Sequence, residues 1–210
     1  GTMGSRSLQQ GGNAVFAVSA ELVNKAKTVA ARLLEANEAD IVLDKDAAAF
    51  HVAGTPSLTK TWSDLAKAEK STGGLVHSDV IGVAGATFPF GAHVAIVEVD
   101  TETGKVTHLR HFACDDAGRV LNPLLLEGQI HGGVAQGTAQ ALLEEVIYDA
   151  DGNPTSSNLA EYAFISAAEL PSIDVIHMET PTPLNLLGAK GIGESGTIGS
   201  TPAVQSAVID

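Results

Sequence analysis

The sequence contains one cysteine, Cys114, in 210 residues. A single thiol can neither close an intramolecular disulfide nor hold an iron–sulfur cluster alone, so this chain is expected to carry neither, and a reducing cytoplasm is the expected location. Aromatic residues are also scarce at 4%, whereas glycine occurs 22 times. We therefore expect a core of Ala, Val, Leu and Ile with many close backbone contacts.

Positive charge is the second thing this sequence lacks. Twelve Lys and Arg stand against 25 Asp and Glu, which gives a net charge of −13. Such a chain repels phosphate backbones, so nucleic-acid binding is excluded. The longest stretch without charged residues, 80–97, contains Gly82 and Pro89 and is not expected to form a membrane helix. No secretory leader is recognised, and both ends look like cuts in a longer subunit.

Hydrophobic residues make up 44% of the chain and charged residues 18%, which is typical of a folded protein. The periodicity predicts an α+β fold with a mixed or antiparallel sheet and packed helices. The expected elements are a helix capped by Ser19, a hairpin of strands 92–99 and 106–113, a helix over 125–146, a strand over 173–179, and a helix near Thr201 with Pro202 at its first position.

The helix predicted over 125–146 contains four glycines, which are Gly128, Gly132, Gly133 and Gly137. Each glycine costs roughly 1 kcal/mol of helix stability relative to alanine. Such a cost indicates that a backbone or a ligand packs closely against this helix. Gln129, which offers a hydrogen-bond donor and an acceptor, lies in the same segment.

The segment GAKGIGESGTIGST, residues 188–201, carries a formal dinucleotide pattern of Gly191, Gly193 and Gly196. No strand directly precedes it, and no acid follows at the required distance, so a Rossmann site is not favoured. Glu194 stands between these glycines. It either points into a cavity or is a solvated loop residue, and the segment alone favours the second interpretation.

Histidines could in principle ligate a metal. His131 lies on the glycine-rich helix without a second ligand at metal-binding spacing, so a structural role is favoured. His108 and His111 are three residues apart in a predicted strand, which places them on opposite faces. We therefore expect no metal site made by side chains of this chain.

The N-terminal segment GTMGSRS, residues 1–7, combines small residues, two hydroxyl side chains and one arginine. Exposed backbone N–H groups and an arginine are typical of a phosphate cradle. A flexible terminus is the alternative interpretation of the same residues.

These three segments, in this order, resemble the large molybdenum-binding subunit of the xanthine oxidase family of molybdenum hydroxylases. GTMGSRSLQQGGNAV is similar to the family's cofactor segment, residues 115–145 are similar to its glycine helix and preceding loop, and residues 188–204 resemble its catalytic loop. The resemblance is greatest to carbon monoxide dehydrogenase-like and aldehyde-oxidising large chains. It covers essentially all of residues 1–210 and implies one C-terminal molybdopterin-binding domain, truncated at both ends.

The resemblance also implies roles for individual residues. Glu194 is expected to be the general base in the oxidative hydroxylation, or carbon monoxide oxidation, of a small substrate. The residues expected to bind the cofactor are Gly4, Ser5, Arg6, Ser7, Gln129, Gly191 and Gly193. The expected cofactor is molybdopterin, in its cytosine dinucleotide form.

The same resemblance implies partners, because this chain lacks the residues for other redox groups. [2Fe–2S] clusters and FAD would lie on an iron–sulfur subunit and a flavin subunit, and the N-terminal half of the large subunit would complete the site. The substrate could be carbon monoxide, an aldehyde, a purine or an N-heterocycle. The competing hypothesis is a non-catalytic scaffold or assembly fragment that binds no cofactor without its missing half and partner chains.

Overall fold

The computed structural model describes residues 3–82 and 84–210 of the chain. Contacts divide the chain into two compact units. The smaller unit is Gln10–Gly82, and the larger unit joins Gly1–Gln9 to Val83–Asp210. No helix in the described part of the chain is both long and apolar enough to cross a membrane.

The smaller unit packs two helices against a three-stranded antiparallel sheet. Its core contains Ala26, Ala30, Ile41, Phe50 and Leu65, and the Phe50 ring meets Trp62 edge-on at 4.8 Å. Its elements are α1 (Asn13–Leu34), β1 (Ile41–Asp44), β2 (Ala49–Val52), β3 (Thr55–Thr61) and α2 (Trp62–Ala68).

The first helix begins earlier than the sequence predicts. Helix α1 starts at Asn13 and continues directly from a π-helical turn, Ser7–Gly12, so the predicted cap at Ser19 is wrong. Because the backbone before Asn13 is already helical, Ser19 lies in the helix interior, where no free N–H groups need a cap. The residue before the helix is Gly12, which has no side chain that could cap it.

The larger unit is built on a second three-stranded sheet, with order β4-β5-β6. The β4–β5 pair is the predicted antiparallel hairpin, and β6 adds to β5 in parallel, so the expected mixed sheet with packed helices is confirmed. Its elements are β4 (Phe90–Val99), β5 (Val106–Asp116), α3 (Pro123–Leu142), β6 (Ile173–Met178) and α4 (Ser195–Ile209).

Helix α4 also begins earlier than predicted. It starts at Ser195, and Pro202 lies inside the helix rather than at its first position. The small residues that follow Ser195 pack on α3. This tertiary contact determines where the helix begins and outweighs the local preference of proline for the first helical position. Helix α3 begins at Pro123, where the Asn122 side chain accepts a hydrogen bond from the Leu125 N–H at 3.2 Å.

Helices α3 and α4 approach so closely that glycines are required between them. A Cβ atom on Gly133 would lie 2.9 Å from the Gly196 Cα, and the Thr197 hydroxyl donates to the Gly133 carbonyl at 3.0 Å. Gly137 is equally crowded by α4, whereas a Cβ on Gly128 or Gly132 would meet no described atom within 4 Å. The predicted close contact is therefore confirmed for two of the four glycines.

Candidate functional site

A cavity of about 320 Å³ lies in the larger unit where α3 begins. The N-terminal segment, the loop before α3 and the loop before α4 all contribute to its wall. Its apolar lining comes from residues such as Leu126 and Ile192. Its polar lining residues are Ser5, Ser7, Arg119, Asn122, Gln129 and Lys190.

A turn at Gly4 and Ser5 and the loop residue Gly191 shape the wall on the N-terminal side. Gly4 and Ser5 both adopt left-handed backbone conformations, with φ of 63° and 57°. Gln9 fixes this turn, since its amide nitrogen donates to the Gly4 carbonyl at 3.0 Å and its amide oxygen accepts from the Thr87 hydroxyl at 2.6 Å. Gly191 packs against Ser5, because a Cβ atom there would lie 2.8 Å from the Ser5 Oγ.

A buried ion pair holds another part of the wall. The Lys190 ammonium donates to Asp116 at 3.0 Å and lies 4.6 Å from the centre of the Phe90 ring. Burial alone would raise the pKa of Asp116, but hydrogen bonds from Thr180, Gly118 and Lys190 outweigh it and hold the pKa below its usual value. Asp116 therefore remains charged and fixes the lysine at the edge of the cavity.

The charge of the cavity is opposite to that of the chain. Arg119 and Lys190 line it, and no Asp or Glu is among its described lining residues, although the chain has 25 acids and 12 bases. Asn122 at the N-terminus of α3 also lines it, and a helix N-terminus carries partial positive charge. The cavity is therefore suited to an anionic ligand with an apolar portion.

The structure brings together only some of the residues that the sequence predicts. Ser5, Ser7, Gln129 and Gly193 line one cavity, and Gly191 supports it from behind Ser5. Those that do not line it are Gly4, Arg6 and Glu194, all of which are exposed in this chain. Glu194 directly precedes α4 and makes no cap hydrogen bond with its side chain.

Sequence reasoning missed three polar lining residues, namely Arg119, Asn122 and Lys190. The available signal was charge, because few cations occur in the chain and Arg119 and Lys190, like Arg6, lie in the segments that carry the family resemblance. The pairing of Lys190 with Asp116, 74 residues earlier, leaves no local pattern that could have revealed it.

The prediction that His108 and His111 lie on opposite faces of β5 is wrong. A β-bulge interrupts the β4–β5 register, since Ile96 pairs with Arg110 and Val97 with His108. The extra residue shifts the alternation of side chains, and the two rings come within 3.3 Å, Nδ1 of His111 to Nε2 of His108. Within residues 3–82 and 84–210, no group of three or more His, Cys, Asp or Glu is arranged to hold a metal ion.

Comparisons with known proteins point to one family. Residues 1–171 match the model of the molybdopterin cofactor-binding domain. The whole chain is 37% identical to part of the carbon monoxide dehydrogenase large chain of Hydrogenophaga pseudoflava, of which it covers 27%. It is 34% identical to part of the nicotine 6-hydroxylase large subunit of Paenarthrobacter nicotinovorans, again covering 27%. The chain thus spans about a quarter of the length of these curated relatives.

Solved structures give the same result. The crystal structure of a Cu,Mo-CO dehydrogenase superposes on the whole chain with a TM-score of 0.88 at 35% identity, and the match covers 27% of that chain. Quinoline 2-oxidoreductase from Pseudomonas putida 86 superposes on 95% of this chain with a TM-score of 0.83 at 34% identity, covering 25% of that chain.

Proposed function

This chain belongs to the molybdopterin cofactor-binding domain family of the xanthine oxidase type, and from this premise we propose that it holds the cofactor of a molybdenum hydroxylase in the cavity at the start of α3. The observation that carries the proposal is the joint placement of Ser5, Ser7, Gln129 and Gly193 around one cavity whose described lining includes cations and no carboxylates. Because the chain as a whole has a net charge of −13, its composition alone does not explain why the cavity is lined by cations.

The donors in the cavity suit a phosphorylated pterin. Arg119 and Lys190 provide positive charge, and the hydroxyl groups of Ser5 and Ser7 can donate to phosphate oxygens. The Gln129 amide offers both a donor and an acceptor, as recognition of a pterin edge requires. When bound, the cofactor supplies the molybdenum centre at which the substrate is oxidised, and we expect its cytosine dinucleotide form.

Glu194 is proposed as the base. It follows Gly193, which lines the cavity, and its exposed carboxylate is free to accept a proton from a group bound next to the loop. Gly191 and Gly193 keep the loop close to the cavity, since a Cβ on Gly193 would lie 3.4 Å from the Gln129 Nε2. Glu194 directly follows Gly193 in this loop, and Gly4 and Arg6 flank Ser5 in the segment proposed to bind phosphate.

The remaining expectations concern the larger protein. We propose a small-molecule substrate. Carbon monoxide or an aldehyde is preferred because the GSRS and GQIHGG segments resemble that branch most, and a carbon monoxide dehydrogenase large chain is among the relatives. The nicotine 6-hydroxylase relative makes an N-heterocycle the alternative. The single cysteine of this chain favours [2Fe–2S] clusters and FAD on partner subunits. The N-terminal half of the large subunit would close the site. The competing proposal remains a non-catalytic scaffold.

Cofactor binding is tested by measuring molybdenum per chain in the assembled enzyme by elemental mass spectrometry. Gln129→Ala and Arg119→Ala should lower molybdenum content severalfold, because each removes a contact to the cofactor. Lys27→Ala, which removes a cation from the smaller unit, should leave it unchanged. Full molybdenum content in both cavity variants would contradict the assigned site.

The base is tested by turnover. Glu194→Gln should reduce turnover by roughly 10²–10⁴-fold at unchanged molybdenum content, which is the usual effect of losing a general base. Glu102→Gln, an exposed carboxylate in the β4–β5 turn, is the matched control. Turnover above about a tenth of the original in Glu194→Gln would refute the assignment of Glu194 as the base. If every variant kept its molybdenum and its turnover, the result would favour the competing hypothesis of a non-catalytic scaffold.

A further inference from the structure

A row of buried polar side chains crosses the sheet of the larger unit. His111 is fully buried, Asp115 is 3% exposed and His108 is 6% exposed, and the His93 side chain is 2% exposed. His93 faces Ala113 across the β4–β5 ladder, and the alternation of β5 places Asp115 and His111 on the same face as Ala113. The β-bulge then brings His108 onto this face.

These four side chains form one continuous hydrogen-bonded chain. The Asp115 Oδ2 lies 3.2 Å from the His93 Nε2, and the His93 Nδ1 lies 3.1 Å from the His111 Nε2. The His111 Nδ1 lies 3.3 Å from the His108 Nε2. Each of the two inner imidazoles therefore uses both of its nitrogens within the chain.

Both ends of this hydrogen-bonded row of side chains reach cavities. Asp115 and His93 line a cavity of about 80 Å³ together with Ser195, which directly follows Glu194. The Ser195 hydroxyl is buried without a hydrogen-bond partner in the described residues, and a cavity of this volume can hold water. His108 lines a second cavity of about 540 Å³ at the opposite end of the row.

Burial of this row is costly, because each imidazole must give up its hydration. Burial is the main cause that lowers the pKa of His111 to about 4, with further lowering by His93 and His108 and an opposing effect of Asp115. Burial likewise lowers the pKa of His108, and the nearby Arg110 backbone raises it less. These two rings are therefore neutral near pH 7.

The surrounding elements add little charge to the row. Helix α4 presents Ser195 and Gly199 to its Asp115 end, and Gly199 lies so near His93 that no Cβ would fit. Lys105 and Glu169 line the cavity at the His108 end. Apolar side chains would fill these buried positions better if packing were the only requirement. What the histidines add is a hydrogen-bonded connection between the two cavities.

We propose that Asp115, His93, His111 and His108 are a proton relay between the small cavity lined by Ser195, which follows Glu194 in the sequence, and the larger cavity lined by His108. The inference rests on the proposed function, because it gives the relay its task. Glu194 must lose the proton that it accepts before it can act again. Water in the small cavity would pass that proton to the Asp115 carboxylate.

The transfer is balanced at each step. Protonated Asp115 donates to the His93 Nε2, while the His93 Nδ1–H passes to the His111 Nε2. The His111 Nδ1–H passes to the His108 Nε2, and the His108 Nδ1–H, which is buried without a hydrogen-bond partner in the described residues, leaves towards the larger cavity that His108 lines. One proton enters and one leaves, Asp115 is a carboxylate again, and each ring must return to its first tautomer before the next pass.

The order of the tautomers is tested by ¹⁵N NMR on the full chain labelled at histidine. With the His93 Nε2 donating to the Asp115 carboxylate, the order of the hydrogen bonds predicts hydrogen on Nε2 of all three imidazoles. His93→Gln, His108→Gln and His111→Gln would assign the signals, and His51→Gln in the smaller unit is the control. An imidazolium or a mixed tautomer order among the three would overturn the relay, whatever the enzyme turns over.

Proton transfer itself is tested in the assembled enzyme. An indicator dye would follow proton release in a single turnover with carbon monoxide. His108→Ala and His111→Gln should slow release about tenfold or more at unchanged molybdenum content. Free imidazole should restore the rate in His108→Ala, which opens to the larger cavity, but not in the buried His111→Gln. A structural role alone would predict no such rescue.

The outcomes separate this inference from the proposed function. Release at the original rate in His111→Gln, or no rescue of His108→Ala by imidazole, would overturn the relay while leaving Glu194 as the base. Unchanged turnover in Glu194→Gln would overturn the assignment of the base and, with it, the task given to the relay, while the molybdenum content would still test cofactor binding.

Discussion

Neighbouring glycines on α3 provide a sharp test of the helix packing. Gly132 and Gly133 occupy the same helix, one residue apart, but only Gly133 faces α4. A Cβ at Gly133 would lie 2.9 Å from the Gly196 Cα and 3.0 Å from the Thr197 N, whereas a Cβ at Gly132 would meet no atom of residues 3–82 and 84–210 within 4 Å. The two alanine substitutions therefore share their helix propensity and differ in their contacts.

The expected magnitudes follow from two opposing effects. Either alanine gains about 1 kcal/mol of helix propensity relative to glycine. At Gly133 this gain is opposed by overpacking, which typically costs about 1–3 kcal/mol, and the crowding atoms belong to the backbone of α4, which can move only as a unit. We expect Gly133→Ala to lose about 1 kcal/mol and Gly132→Ala to gain about 1 kcal/mol.

Urea unfolding of the two variants measures this contrast. With a slope of roughly 2 kcal/mol/M, a difference of about 2 kcal/mol separates the unfolding midpoints by about 1 M. The slopes should agree, since neither change alters the area that unfolding exposes by much. Equal midpoints for Gly132→Ala and Gly133→Ala would show that the helices are not in contact at Gly133, and the account of the glycines would be wrong.

Two further predictions concern buried charge. Lys190→Met leaves the Asp116 carboxylate buried without its cation, so the free energy of unfolding measured in urea should fall by about 3–5 kcal/mol. The double variant Lys190→Met, Asp116→Asn should recover most of this loss. No recovery would contradict the pairing of Lys190 with Asp116. Because the pKa of His111 is lowered to about 4, the unfolded chain binds a proton below pH 6.5 that the folded chain refuses. Stability should fall by about 3 kcal/mol as the pH drops from about 6.5 to 4, and His111→Phe should flatten this dependence.

The sequence predicted best those elements whose signals are local. Alternating residues and a turn at Gly104 predicted the β4–β5 hairpin, and a left-handed φ of 74° at that glycine confirms the turn. The glycine helix was predicted within a few residues, because its apolar face of Ile130 and Val134 is buried as the periodicity indicates. The starts of α1 and α4 were missed, since neighbouring helical turns and tertiary contacts outweighed the cap signals.

The candidate site shows the same division. The motifs led to Gln129 and Gly193, which the structure places at one cavity. They could not reveal that Lys190 meets Asp116, because the partners come together only when the loop before α4 packs beside the end of β5. Motifs therefore predicted which segments meet, and the fold decided which of their side chains line the cavity.

The histidine row depends on a feature of β5 that the sequence does not reveal. Period-two alternation separates His108 from His111, and one extra residue in β5 reverses that conclusion. Bulges have no reliable sequence signature, and they re-aim side chains where a strand needs both regular pairing and a local change of face. Without the bulge the row would end at His111, enclosed in the core. With it, the chain of imidazoles reaches a cavity at each end, as proton transfer requires and packing does not.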